Sequence, residues 1–194
     1  MNGMAGALDA YEALVLPGWH GSGPTHWQHH WEAAFPAMRR VQQADWEQPV
    51  YGDWLPPLRD AVAQADRPVV IIGHSLGTSL TMLFSLRDGP PELVAKIAGA
   101  FLVAPTDRDM RDGIPGGPVG FGPMILKPLP FPSTVVASDD DEYVSIERAR
   151  VFARAWGSRL IEIGARGHIG SEANLGLWPE GLVLFGEFLG GLGR

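Results

Sequence analysis

The stretch Val69-Val70-Ile71-Ile72-Gly73-His74-Ser75-Leu76-Gly77 decides how the rest of this chain is read. Four β-branched residues in succession make a buried strand. The Gly-x-Ser-x-Gly that follows is the pattern of a sharp strand-to-helix turn presenting a serine at its apex. Glycines two residues to either side of Ser75 leave room for strand and helix to approach closely. Alone the pattern is weak. With 25 Gly in 194 residues, it arises by chance about 0.15 times per chain of this composition, so the context must carry the argument.

Downstream, Leu76, Leu80, Leu83 and Phe84 fall on one stripe, the spacing of a helix face packed on a sheet. Short apolar runs predict further strands at residues 12–16, 97–103, 134–137 and 160–163, besides 69–72, and another strand is expected at 39–43. Helical patterns lie between them at 25–35, 53–65, 145–156 and 182–189. Pro56 and Pro57 are expected in the first turn of their helix, where proline is best tolerated. Strands that are apolar throughout and alternate with helices imply an α/β fold. The expected architecture is a doubly wound, mostly parallel sheet of about six strands with helices on both faces. The chain reads as one domain over 1–194, with residues 1–10 as a flexible extension. Residues 105–132 hold seven Pro and five Gly, too many for a helix. They are expected to form a long loop, a candidate lid or binding wall.

Composition excludes several functions. There is no cysteine, so disulfides, thiolate zinc sites and a thiol nucleophile are ruled out, and a cytoplasmic location is expected. A net charge of -7 and 15 scattered Lys and Arg argue against nucleic acid as a partner. No run approaches the ~18 apolar residues of a membrane span, and the first dozen residues lack the pattern of a signal peptide. His26 and His30 lie one helical turn apart beside His29, but no His-Glu-x-x-His and no third ligand accompany them. They are read as a helix face, and no metal or cofactor is expected. Trp27, Trp31, Trp46 and Trp54 are read as core.

A serine hydroxyl needs a base, normally a histidine oriented by a carboxylate. In α/β hydrolases these follow the serine in the order acid, then histidine. Of six histidines only His168 follows Ser75, in the glycine-rich segment Gly164-Ala165-Arg166-Gly167-His168-Ile169-Gly170 just past a predicted strand. The acid is expected after the strand at 134–137, in Asp139-Asp140-Asp141-Glu142. Pattern favours that turn over Asp107, Asp109 and Asp112, and does not choose within it. The oxyanion requires two donors. The Leu76 amide, at the helix start, is one; the Trp19 amide in Leu16-Pro17-Gly18-Trp19-His20 is the other, with His20 next. Trp19, His20, His74 and Phe121 are the candidate pocket residues.

Several longer segments are more specific than the turn. Leu16-Pro17-Gly18-Trp19, Ser22-Gly23-Pro24, His26-Trp27-Gln28, Leu129-Pro130-Phe131-Pro132-Ser133, Trp156-Gly157, Gly167-His168-Ile169 and Trp178-Pro179-Glu180-Gly181 span nearly the whole chain. With the Ser75 turn, they resemble the small serine hydrolases of the retinoblastoma-binding protein 9 and YdeN type. The resemblance implies an α/β-hydrolase domain without a large cap and a Ser-Asp-His triad. Its acid turn, Ala-Ser-x-x-Asp-Pro-Tyr, aligns with Ala137, Ser138, Asp141, Glu142 and Tyr143. That selects Asp141, with Glu142 in place of proline and Asp140 as the neighbouring alternative. The expected function is hydrolysis of a small acyl substrate, an ester foremost, by Ser75, Asp141 and His168. The alternative is a protein-interaction module on the same fold, although nothing in the sequence indicates a protein partner.

Overall fold

A computed structural model describes residues 6–111 and 115–192. Strands β1 (Glu12–Leu16), β2 (Met38–Arg40), β3 (Val69–His74), β4 (Ile97–Val103), β5 (Ser133–Ala137) and β6 (Arg159–Glu162) form one sheet in the order β2-β1-β3-β4-β5-β6. Every pairing is parallel. The helices are α1 (Trp27–Ala34), α2 (Tyr51–Ala63), α3 (Leu76–Leu83), α4 (Pro91–Val94), α5 (Arg108–Arg111), α6 (Ile146–Trp156) and α7 (Pro179–Leu192).

Because successive strand residues point to opposite faces, the apolar strands build two cores. Leu14, Leu16, Ile71, Leu102 and Val135 pack with α2, α3 and α6, while Val15, Val70, Ile72, Phe101 and Val136 pack with α1 and α7. The fold is therefore doubly wound, as the alternation implied. Phe84, Phe101, Phe152 and Phe185 are fully buried, each contributing about 1.5–3 kcal/mol relative to exposure. Four tryptophans buried with them satisfy their indole N–H groups on backbone carbonyls. Trp54 donates to Asp45 and Trp156 to Ile125. Trp27 donates to Ile169 and Trp31 to Leu177, which ties α1 to the segment after β6.

After β1 the chain moves outward to β2 and then returns to the other side of β1 to form β3. In such sheets the crevice at the carboxyl ends of the strands, where the winding reverses, receives the ligand. The buried Gln28 of α1 spans that point. Its side-chain amide donates to Leu16 O at the end of β1 (3.3 Å) and to Ile72 O in β3 (3.0 Å), and its oxygen accepts from Ser22 Oγ.

Three expectations are corrected. Helix α2 begins at Tyr51, which puts Pro56 and Pro57 in its second turn. The carbonyls they leave without an N–H donor belong to Gly52 and Asp53, both exposed, where water can replace the bond. Residues 6–10 are not a free extension, because Leu8 is buried in the core on the α1 side of the sheet, the side that holds Trp27 and Trp31; residues 1–5 lie outside the described part. The 105–132 segment is not a uniform loop. It contains α5 and a bridge between Val50 and Val119, and it buries Phe121, Met124, Leu129 and Phe131 in the core. No helix among the described residues is long and apolar enough to cross a membrane.

The turn at Ser75 brings the start of α3 against the end of β1. A Cβ on Gly77 would overlap the Leu16 carbonyl and come within 2.9 Å of Pro17 O, both backbone atoms. A Cβ on Gly52, in α2, would meet nothing. Gly77→Ala is therefore expected to lose about 2 kcal/mol or more in urea unfolding. Gly52→Ala should be neutral or gain up to about 1 kcal/mol. Equal effects at the two sites would contradict the packing described.

Candidate active site

Ser75 sits between β3 and α3 with φ 54° and ψ -120°, a conformation that L-residues adopt only under constraint. Its amide donates to Val103 O of β4, and the Pro17-Gly18-Trp19 loop crosses directly over it. A Cβ on Gly18 would stand 2.7 Å from Ser75 Cβ. Ser75 is thereby buried, and it lines the cavity of the crevice.

His168 comes from the loop after β6. Its Nε2 lies 2.7 Å from Ser75 Oγ and its Nδ1 lies 2.8 and 2.9 Å from the two oxygens of Asp141. The Asp141 side chain is buried and also accepts from the Tyr143 amide. The carboxylate only accepts, so Nδ1 carries the imidazole proton and Nε2 of the neutral ring is left to accept from Ser75. The Tyr143 ring packs on His168 at 4.4 Å.

Asp140, the neighbouring alternative, has a different place. It accepts from Ser138 Oγ and the Gly167 amide, both at 2.7 Å, while Ser138 Oγ accepts from the Arg166 amide. The Ser138 hydroxyl first, then the Gly167 amide, holds Asp140 below the usual carboxylate range. Asp140 thus staples the acid turn to the histidine loop, while Asp141 faces the ring. Asp107 and Asp109 are drawn away by Arg148 of α6, and Asp112 lies outside the described residues.

The histidine loop is held from behind. His74 Nε2 donates to His168 O (2.9 Å), and Trp27 Nε1 donates to Ile169 O (2.8 Å). Ile169 has φ 51°, unfavourable for a β-branched residue, and these two bonds with complete burial keep it there. His26 caps α1, its Nδ1 accepting from the Gln28 amide. Its ring meets His74 edge-on at 4.6 Å, whereas His29 is exposed and His30 half-exposed.

For the oxyanion donors, the His20 amide is spent on Trp46 O (3.0 Å). The Trp19 amide has no acceptor among the described residues, and the Leu76 amide is the first of its helix. This leaves Trp19 and Leu76 for a bound oxygen. The cavity above them has a volume of about 460 Å³ and is lined by Trp19, His20, His74, Thr106 and Tyr143. Arg108, Arg166 and Glu172 add charge to its wall. Phe121 is the exception among the expected pocket residues. Pairing of Val119 with α2 turns Phe121 into the core, against Tyr51 and Trp54. Sequence reasoning missed Thr106, Arg108 and Tyr143 as wall residues. Thr106 did carry a signal, since it follows a predicted strand end.

The sequence model of the family described as serine hydrolase matches residues 13–187. Among solved structures the chain is similar to a YdeN-like hydrolase from Pectobacterium atrosepticum, at 31% identity and TM-score 0.86, covering 98% of this chain and 97% of that one. It is also similar to the ydeN gene product of Bacillus subtilis, at 18% identity and TM-score 0.69, covering 92% and 98%. The type II thioesterase BorB of the borrelidin biosynthetic cluster shares the fold at 19% identity and TM-score 0.60, covering 93% and 91%. No curated protein matches the sequence significantly.

The two histidines behind the site make stability depend on pH. Burial first, then the charges of Arg40, His168 and His30, lowers His26 from 6.5 to about 3. Burial first, then His26 and His168, pushes His74 well below its ordinary value. Both are neutral when folded, so the unfolded chain binds more protons below pH ~6.5. Stability should fall as pH drops from 7 to 5, by up to about 1.4 kcal/mol per pH unit for each histidine. In urea titrations His26→Asn, which keeps a capping oxygen for Gln28, should remove one proton's share of that slope. An unchanged slope would mean that His26 is also protonated in the folded protein.

Proposed function

This chain belongs to the serine hydrolase family, and on that premise we propose that it hydrolyses a small carboxylic ester or related acyl substrate through an acyl-enzyme on Ser75. One observation carries the reading. A continuous chain of hydrogen bonds runs from Ser75 Oγ through His168 to the buried Asp141 carboxylate, with two uncommitted amides beside the serine.

The chemistry follows from those positions. Ser75 Oγ attacks the acyl carbon as its proton passes to His168 Nε2, and Asp141 holds the imidazole and stabilises the cation that forms. The carbonyl oxygen, now negative, is received by the Leu76 and Trp19 amides. Donors of this kind are typically worth ~10²–10³ in rate each. His168 returns the proton to the departing alcohol, and water repeats the sequence to free the acid. BorB, which shares the fold, is a type II thioesterase, so thioesters are a second acyl class to assay. The absence of cysteine fits a cytoplasmic enzyme.

Ser75→Ala should abolish both fluorophosphonate labelling and p-nitrophenyl acetate hydrolysis. Asp141→Asn should lower kcat by about 10³–10⁴ by reversing the imidazole tautomer. Asp140→Ala, which loosens the loop without touching the ring, should cost only about 10–100-fold. Equal losses at the two aspartates would move the orienting role. A cavity of about 460 Å³ with Arg108, Arg166 and Glu172 in its wall suits a short acyl group better than a long apolar chain, so esters of roughly two to six acyl carbons should be turned over faster than those of twelve or more. A rising kcat/KM along that series would refute the assignment of the cavity to the acyl group.

A further inference from the structure

Ser75 Oγ has a second partner besides His168. Thr106 Oγ1 lies 2.9 Å from it, and Thr106 is buried and lines the cavity. We propose that Thr106 is a further catalytic residue, whose hydroxyl donates to Ser75 Oγ and so commits the serine proton to His168. The proposal rests on Ser75 being the nucleophile.

Proton bookkeeping determines the direction of the bond. Asp141 accepts from Nδ1, so Nε2 of neutral His168 has a lone pair and Ser75 must donate its only proton there. The 2.9 Å contact between the two hydroxyls is then a hydrogen bond only if Thr106 is the donor. Without that donor the serine hydroxyl is held by one bond and can rotate away from His168. With it, one lone pair of Oγ is occupied and the remaining one is presented to the substrate.

The placement of Thr106 is built from both sides. Before it, Ala104 is held at φ 48°, in the left-handed region, and Pro105 follows. After it, the Asp107 amide donates to Tyr143 O (3.1 Å), and the buried Asp107 carboxylate accepts from Arg148 at 2.5 and 3.1 Å. A strained backbone held by several independent contacts is a mark of a functional position. Here the contacts aim one small hydroxyl at the reacting oxygen. Tyr143 also packs on His168 and donates its amide to Asp141, so Thr106 and the Ser75-His168-Asp141 chain share a single support.

During acylation the Ser75 proton moves to His168, the bond from Oγ to the acyl carbon forms, and the bond to the leaving alcohol breaks as that alcohol takes the proton. Thr106 keeps its own proton throughout. Its donation favours the moments when Oγ bears most negative charge, as the serine proton leaves in acylation and as Oγ departs in deacylation. The effect therefore belongs in kcat and in the labelling rate, not in KM.

The test is Thr106→Val, which preserves shape and removes the hydroxyl, with Thr106→Ser as the variant that restores it. Thr106→Val should reduce the fluorophosphonate labelling rate and the kcat for p-nitrophenyl acetate by about tenfold or more, with KM and Tm little changed. Thr106→Ser should return both rates to within about threefold of the parent. If Thr106→Val fails to fold, Thr106→Ala, which only removes atoms, is read in the same assays. Labelling at the parent rate in the valine variant, or a defect confined to KM, overturns the proposal. Failure of the parent itself to label or hydrolyse would instead overturn the function assigned to Ser75.

Discussion

The contact of Gly77 with the end of β1 is the constraint on which the site depends. Helix α3 starts so close to Leu16 O and Pro17 O that no side chain fits at Gly77. The chain must therefore turn sharply, and Ser75 takes a positive φ to do so. Three consequences follow from that approach. The helix N-terminus, with its free Leu76 amide, faces the crevice. The loop after β1 is brought across Ser75, where Gly18 leaves just enough room. Trp19 of that loop and Leu76 then line the same cavity. Ser75, Leu76 and Trp19 thus come to one cavity through one close packing of backbone on backbone.

The histidine depends on a different arrangement, in which aromatic N–H groups from the core hold a loop. Glycines at 164 and 167 with positive φ allow the chain to bend, but they do not choose the bend. That choice is made by His74 and Trp27, whose ring N–H groups hold two successive carbonyls, and by Asp140 and Ser138, which take two successive amides. Both rings are buried, so leaving either N–H unpaired would be costly. The loop conformation and the core packing therefore stabilise one another. Burial, with His26 and His168 beside it, keeps His74 neutral, and its ring N–H is committed to the His168 carbonyl.

Much of this was legible in the sequence. Apolar runs located five of the six strands to within a few residues, because a sheet covered on both faces needs apolar residues in both directions, while the short edge strand β2, Met38-Arg39-Arg40, has no such run. Chain order brought Ser75, the 139–142 turn and His168 together, since each follows a strand end. Side-chain direction was less legible. Asp140 and Asp141 are adjacent and chemically identical, and the carboxylates part only because one faces the ring and the other the Gly167 amide. Phe121 was misplaced for a similar reason. The 105–132 segment has no periodicity, and the pairing of Val119 with Val50 that turns Phe121 inward is a long-range contact. Leu8 sits in a stretch too short to show a pattern, although the sheet covers it.

The ion pair of Arg148 with Asp107 and Asp109 is best understood through what it holds. As a source of stability it is weak, because taking the Asp107 carboxylate out of water offsets much of the attraction it gains. Its side chain is 3% exposed while that of Arg148 is 32% exposed, so the carboxylate loses more hydration than the guanidinium. What the pair supplies is geometry. Two oxygens of Asp107 and one of Asp109 bind one planar guanidinium, which suits a fork of fixed shape and leaves the loop little freedom. Arg148 lies in the first turn of α6, and Ser145 caps that helix. The start of the proline-rich segment is thereby referenced to the same helix that follows the acid turn. A segment with only the short α5 at its start thus keeps Thr106 in register with Asp141, although Thr106 follows β4 and Asp141 follows β5.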